Sequence, residues 1–398
     1  MGMQHRGVED IMNTRPAHQA CAAGSGPRPL SGRLSLAVLL LASTHAIAAP
    51  TGQAASPAYD QAPVDWAAYR KMWLKDFPRA TPAEAVLGAY SEEKAKVFLD
   101  DTSTKWVKQN RCGTCHTTVS YLMARPLIGK ASDRAAWNGV RASVSDFTAE
   151  QIATHSPAAA FFAASTAAAL AVGDAAAERP LQPDTRALFD YLWASQASDG
   201  AWDTPQRGAL PFLERDRPYS ALLVALAIGY APGRHYEDST ARAGFAKLQA
   251  FIRGNLPGNL HDKAVLLWAS VRTPGLLNGE EQAAYARSLL DLQRQDGGWA
   301  LPSLGTWPRH DGAPNDPGSD SDGYATSLAA LVLCQRGYGT RDASIRRAVA
   351  WIRRHQRASG RWYTRSLYSD RFQNYLSNMA TAYAVMALSS CRATIGRP

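Results

Sequence analysis

Apolar residues along this chain recur at helical spacing, and no stretch sustains the apolar–polar alternation of a half-buried strand. Two kinds of segment take turns. Six stretches are apolar nearly all round and rich in small residues; they are anchored on Thr118, Thr166, Ser220, Ala264, Thr326 and Thr381. Before each lies a longer, more polar stretch: roughly 91–109, 133–144, 183–197, 239–253, 280–294 and 343–356. Their charges fall on one face, as in helices with one side in water, whereas helices apolar all round belong between other helices. Six of each in alternation predict an all-α chain, a single (α/α)6 toroid of two concentric helical rings. The small residues of the apolar set let neighbouring helices approach closely.

The polar stretches share a terminator. Gln-x-x-x-Gly-x-Trp occurs as Gln196–Gly200–Trp202, Gln293–Gly297–Trp299 and Gln356–Gly360–Trp362. Its Gly suits the left-handed residue that ends a helix, its Gln can reach orphan backbone groups there, and its Trp covers the helix end. These positions are read as structural. A fourth copy, Gln109–Gly113, carries Cys115 in place of the Trp.

With these motifs the chain resembles the terpene cyclase and protein prenyltransferase superfamily, whose squalene–hopene and oxidosqualene cyclases carry the same QW repeat. The resemblance covers about residues 66–395. It implies a toroid that binds or converts a hydrophobic isoprenoid lipid by acid-initiated chemistry. Asp320-Ser321-Asp322 is similar to the short acidic motif before an inner helix of those cyclases, which implies Asp322, with Asp320, as the proton donor. Gly323 and Tyr324 replace the rest of that motif. The chain has length for one helical barrel where triterpene cyclases join two. Its apolar set offers only Tyr121, Phe161, Phe162, Tyr219, Trp268, Tyr324 and Tyr383 as aromatics to steady carbocations.

The fourth copy is also a Cys112-Gly-Thr-Cys115-His116 sequence. Behind an export signal this spacing reads as covalent attachment of haem c, with His116 as the axial iron ligand. Met123, His261 and His310 are weighed as second ligands, Met123 lying on the same predicted helix as His116. Zinc needs ligands that no second Cys-x-x-Cys supplies. A haem protein for electron transfer or oxidation is therefore the alternative to the cyclase. A third reading is a carbohydrate-active toroid. Glu214, Asp216, Asp262, Asp311, Asp316, Asp320 and Asp322 cluster where apolar helices begin. Such acids are ordinary caps, yet two facing carboxylates are what glycoside hydrolysis requires.

Composition adds the compartment. Arg28 and Arg33 precede an apolar run from Leu34 to Ala42 that ends in Ala46-Ile47-Ala48. This is the layout of a secretory signal over residues 1–48, cleaved after Ala48, which implies a periplasmic or secreted protein. Residues 49–65 read as a disordered linker, and 66–395 as the toroid. The run from Ala158 to Gly173 falls short of the ~20 residues of a membrane span and is expected to be a buried helix. In an oxidising compartment Cys334 and Cys391 form either a disulfide or two buried thiols. The net charge is +9, and eleven Arg lie between Arg341 and Arg397 against Asp342 and Asp370. That excess is either a solvated outer face or a contact for an anionic membrane surface. Nucleic acid is excluded as a partner by the absence of any nucleic-acid motif in an exported chain.

Overall fold

The structure is a computed structural model that describes residues 78–110, 113, 115–204, 216–231, 239–307, 309, 311–316, 318–367 and 374–393. The expected export signal and the 49–65 linker lie outside the described residues. Twelve helices follow one another: α1 (Glu92–Asn110), α2 (Ser120–Ala124, entered through a π turn at Cys115–Val119), α3 (Ala135–Ala153), α4 (Ala159–Ala176), α5 (Pro183–Ala194) and α6 (Arg217–Tyr230). The second half comprises α7 (Ser239–Gly254), α8 (Leu260–Arg272), α9 (Gly279–Leu290), α10 (Gly323–Arg336), α11 (Ala343–Arg354) and α12 (Asn374–Ala393). Among the described residues there is no sheet, only two isolated bridges, Val86 with Arg357 and Gln356 with Trp362. The fold is all-α and consistent with a toroidal (α/α) arrangement.

The even-numbered helices are the apolar set. Each packs on the next, α2 on α4, α4 on α6, α6 on α8, α8 on α10 and α10 on α12, and α12 returns to α2. Side chains along them form one continuous hydrophobic cluster. In α4 every residue from Ala159 to Asp174 is buried. This is the only helix among the described residues long and apolar enough to cross a membrane, and 89% of it is buried inside the protein. Small residues set the spacing: a Cβ added to Gly173 of α4 would sit 2.4 Å from the Leu122 carbonyl oxygen of α2. α3 runs past the expected boundary at 144 because Val144, Phe147 and Thr148 continue its buried stripe.

Local chemistry fixes where the helices start. Asp216 caps α6 by accepting from the Tyr219 amide, and Asn259 caps α8 by accepting from Asp262. Asn278 and Glu281 form a reciprocal capping box on α9. The Gln-x-x-x-Gly-x-Trp segments fix where helices end and how one joins the next. In each, the Gly has a left-handed φ: +99° at Gly200, +94° at Gly297 and +99° at Gly360. Gln196 Nε2 donates to Gly200 and to the Gly244 carbonyl of α7, both at 2.9 Å. Gln293 Nε2 donates likewise to Gly297 and to Ser344 of α11. Gln356 Nε2 donates to Gly360 and to Ser91, at the start of α1. The Trp rings are fully buried, and each Nε1 donates at 2.7 Å to a carbonyl of the preceding helix: Leu192, Leu289 and Ile352. The Trp thus anchors its own helix while the Gln and Gly dock on the next polar helix.

The last copy links the two ends of the chain. Gln356 Oε1 also accepts from the Ser91 amide at 2.7 Å. A segment leading into α1 lies along the same loop: Leu87 N donates to Gln356 O, and Ala358 N to Ala85 O. Arg361 Nε pairs with Glu84 at 2.7 Å, and its other nitrogens donate to Pro78 O and Arg79 O. At the far ends of α10 and α12, Cys334 and Cys391 form a disulfide with Cα atoms 5.1 Å apart. That separation is shorter than ordinary helix packing. It is reached where Ala329 and Ala330 of α10 and Ala384 and Ala387 of α12, all fully buried, keep the helices small in girth.

Replacing Gln356 by Ala leaves the Ser91 amide without a partner and takes one of two donors from its carbonyl, which keeps the Ala95 amide. The expected loss is about 2–4 kcal/mol of folding stability, read from urea unfolding at neutral pH. A loss below about 0.5 kcal/mol would place ring closure elsewhere.

Candidate active site

Side-chain contacts join the start of α2 to that of α12, and the starts of α6, α8 and α10 to one another. His116 at the entry to α2 lies 5.9 Å from the Tyr375 ring of α12, and Asn378 Nδ2 of α12 donates to Thr117 Oγ1 at 3.1 Å. Tyr219 of α6 stands beside His261 of α8, at 6.3 Å between ring centroids. His261 stacks on Tyr324 of α10 at 5.9 Å, and Tyr324 lies 5.5 Å from Tyr383 of α12. Trp307, from the loop between α9 and α10, meets His261 edge-on at 5.7 Å.

Two carboxylates begin neighbouring helices here. Asp216 starts α6. Burial raises its carboxyl above the ordinary carboxylate value, and the negative charge of Asp262 adds to that effect against the Tyr219 amide bond. Asp262 lies in the first turn of α8, is 8% exposed, and has both oxygens engaged. Oδ2 accepts from Asn259 Nδ2 at 2.8 Å, and Oδ1 lies 2.7 Å from His261 Nδ1. The other imidazole nitrogen of His261 lies 2.7 Å from the Tyr324 hydroxyl. Each of these three residues stands out singly in the sequence, as an aromatic, a rim acid or a weighed ligand. The contact between His261 and Tyr324 spans 63 positions, and no local signal announces it.

Asp322 caps α10. Its Oδ1 accepts from the Tyr324 amide (2.9 Å), the Ala325 amide (3.0 Å) and Thr364 Oγ1 (3.1 Å). Oδ2 accepts from the Leu301 amide at 2.5 Å. Burial pushes the carboxyl up to about 6, with these donors working in the opposite direction. Asp320 is exposed, two positions upstream. Asp311 is engaged by Arg309 through a paired contact at 2.6 and 3.0 Å. Glu214 and His310 lie outside the described residues.

Cys112 and the side chain of Cys115 also lie outside the described residues; His116 does not. Its imidazole is buried, with Nδ1 2.7 Å from Thr117 Oγ1. Trp106 meets it edge-on at 5.3 Å and Tyr375 at 5.9 Å. An axial ligand needs its ring open to a macrocycle several ångströms across, and these neighbours occupy that space. Among the described residues no group of three or more His, Cys, Asp or Glu is arranged to hold a metal ion. The cysteine pair seen bonded is Cys334–Cys391. The expectation of haem c on Cys112, Cys115 and His116, with His116 as metal ligand, is corrected accordingly. Gly113 keeps the docking role of its copy: a Cβ there would meet Val144 and Phe147 of α3 at 3.3 and 3.2 Å.

No family model and no curated protein matches this sequence. Solved structures do match at the level of fold. A wild-type glycosidase aligns with TM-score 0.43 and 11% identity, covering 77% of this chain and 99% of its own. A variant glycosidase aligns with TM-score 0.46 and 11% identity over 77% and 99%. A protein from Actinoplanes aligns with TM-score 0.44 and 16% identity over 76% and 100%. Glycosidases, rather than terpene cyclases, are thus the named structural neighbours. The expectations of a terpene-cyclase activity and of a hydrophobic isoprenoid partner, with an anionic membrane as a second, are corrected on that finding. The site gives a physical reason in the same direction. Of the seven aromatics expected to steady a carbocation, Tyr121, Phe161, Trp268 and Tyr324 are at most 1% exposed and pack into the core, while Phe162, Tyr219 and Tyr383 are 4%, 5% and 7% exposed.

Burial pushes the His116 imidazole down to about 3. The folded state therefore holds it neutral, while the unfolded chain protonates it near the ordinary imidazole value of 6.5. Its stability contribution is complete above pH 6.5 and is lost progressively as the pH falls towards 3. Asp322, raised to about 6, contributes with the opposite sign: stability falls as the pH rises from about 4 to 6. Comparing His116→Phe with the wild type isolates the first effect. The variant should lack up to about 1.4 kcal/mol per pH unit of acid destabilisation, measured by urea unfolding between pH 4 and 7. Parallel curves would refute the assignment.

Proposed function

We propose that the protein is a carbohydrate-active enzyme on a single (α/α)6 toroid, with the odd-numbered helices outside and the even-numbered helices inside. The toroid spans residues 66–395. Residues 1–48 act as an export signal and 49–65 as a linker, which makes the protein periplasmic or secreted. The Cys334–Cys391 disulfide supports an oxidising compartment.

One observation carries the reading. Asp216 and Asp262 begin adjacent helices, close enough for one charge to act on the other, and burial holds Asp216 towards its protonated form. Glycoside hydrolysis divides its work between such a pair. Asp216 donates its proton to the leaving glycosidic oxygen. Asp262, fixed by Asn259 and His261, activates water or attacks the anomeric carbon. Tyr219 and Trp307 beside them, each 5% exposed, are flat apolar faces suited to the C–H faces of a sugar ring. Asp322, whose carboxyl is pushed up to about 6, and the exposed Asp320 are the next acids to assign at this mouth.

The test is reducing-end release from a panel of polysaccharides and aryl glycosides by the wild type, Asp216→Asn and Asp262→Asn. Each variant should lose about 10²–10⁴-fold in kcat with an unchanged far-ultraviolet circular dichroism spectrum. Full turnover in both variants removes this acid pair, and no hydrolysis of any saccharide by the wild type removes the carbohydrate reading. Asp322→Asn and Asp320→Asn in the same assay decide whether either joins the chemistry.

A further inference from the structure

Three polar side chains form a line from the mouth into the protein. Asp262 is its outer end, 8% exposed; His261 and Tyr324 are fully buried. The two contacts in the line are both 2.7 Å. His261 is held from every side: its amide donates to Leu304 O, Tyr324 stacks on it, Trp307 meets it edge-on and Tyr219 lies beside it. Its ring therefore has one orientation.

A purely structural purpose accounts poorly for this chemistry. α8 and α10 are apolar helices, and an apolar pair in place of His261 and Tyr324 would join them without the desolvation that buried polar groups incur. The line of hydrogen bonds opens to the mouth only through the Asp262 carboxylate. A carboxylate can only accept, so His261 must present Nδ1–H to it. That donor fixes which oxygen faces His261, leaving the other with Asn259.

We infer that His261 and Tyr324 are positioning residues for Asp262, holding its carboxylate in one orientation beside Asp216. The Tyr324 hydroxyl holds the far nitrogen of the imidazole, and the imidazole holds the acid. This deepens the carbohydrate reading and rests on it for the task the carboxylate performs. Among the described residues, three titratable groups are recorded around Asp262. Asp216 comes from α6, His261 from its own helix, and Tyr324 from α10 through His261. Lys263 points to the Tyr285 ring of α9, 5.7 Å away.

The test reads the acid directly. In protein labelled with ¹³C at the aspartate carboxyls, the Asp262 signal is identified by its loss in Asp262→Asn and followed through a pH titration. His261→Leu removes the donor and should move its midpoint upward by about one pH unit. His261→Asn, whose amide places a donor near the position of Nδ1, should restore most of it. Tyr324→Phe deletes one hydroxyl and should also move the midpoint; it carries the test if His261→Leu does not fold. Midpoints unchanged in the folded variants, with only the melting temperature lowered, would make the network structural and overturn the inference. If the wild type hydrolyses no saccharide while these shifts appear, the carbohydrate reading fails and the positioning role stands. Where hydrolysis is found, the acid limb of the pH–rate profile should move in step with the carbon signal, and kcat should fall more than KM rises.

Discussion

The hold of Gln356 on Ser91 is the interaction on which the rest depends. A circular array of helices has no natural end, so its first and last members must recognise each other across nearly the whole chain. Here the amide of one side chain both donates to and accepts from one backbone unit, 265 positions away. Gly360 allows the approach: a Cβ there would lie 2.1 Å from the Lys94 carbonyl oxygen. With the two ends of the chain joined, α12 packs against α2, and the beginnings of these two helices meet through His116 and Tyr375. The chemistry at the mouth therefore inherits its geometry from an amide on the outside.

The caps and the site share their residues. A helix N-terminus attracts carboxylates because its amides lack partners, and α6, α8 and α10 bring three such ends into contact through Tyr219, His261 and Tyr324. Acids that stabilise their own helices are thereby gathered at the edge of an apolar core, where burial favours their protonated forms. Asp216 and Asp322 both follow this course. They differ in what remains available. Asp322 is engaged through both oxygens by four donors from three segments and holds loops together. Asp216 answers chiefly to one amide and to the charge of a neighbouring acid.

Much of the fold was legible in the sequence because its physics is local and repetitive. The alternation of wet and dry helices, the left-handed glycines and the caps all act over a few residues. The buried polar helix ends at Trp202, Trp299 and Trp362 follow from the repeat itself. The site was legible only in parts. Asp216, Asp262, His261 and Tyr324 stood out one by one, but their pairing depends on ring closure and on loop lengths that carry no periodic signal. One local pattern pointed to chemistry that the surroundings do not support. Cys-x-x-Cys-His reads as a haem site only if the imidazole is accessible, and Trp106 and Tyr375 enclose it. The acidic run before α10 resembles a proton donor by spacing, but spacing does not announce that the donors to Asp322, three backbone amides and the Thr364 hydroxyl, come from as far away as Leu301 and Thr364.

The disulfide adds an asymmetry. Cys334 and Cys391 sit at the C-terminal ends of α10 and α12, the ends remote from Tyr324 and Tyr375. A covalent tie there bars α10 and α12 from separating at their C-terminal ends. Among the described residues their opposite ends are joined by noncovalent contacts, such as that of Tyr324 with Tyr383. Any splaying of this pair must therefore begin at the end away from the sulfur bridge.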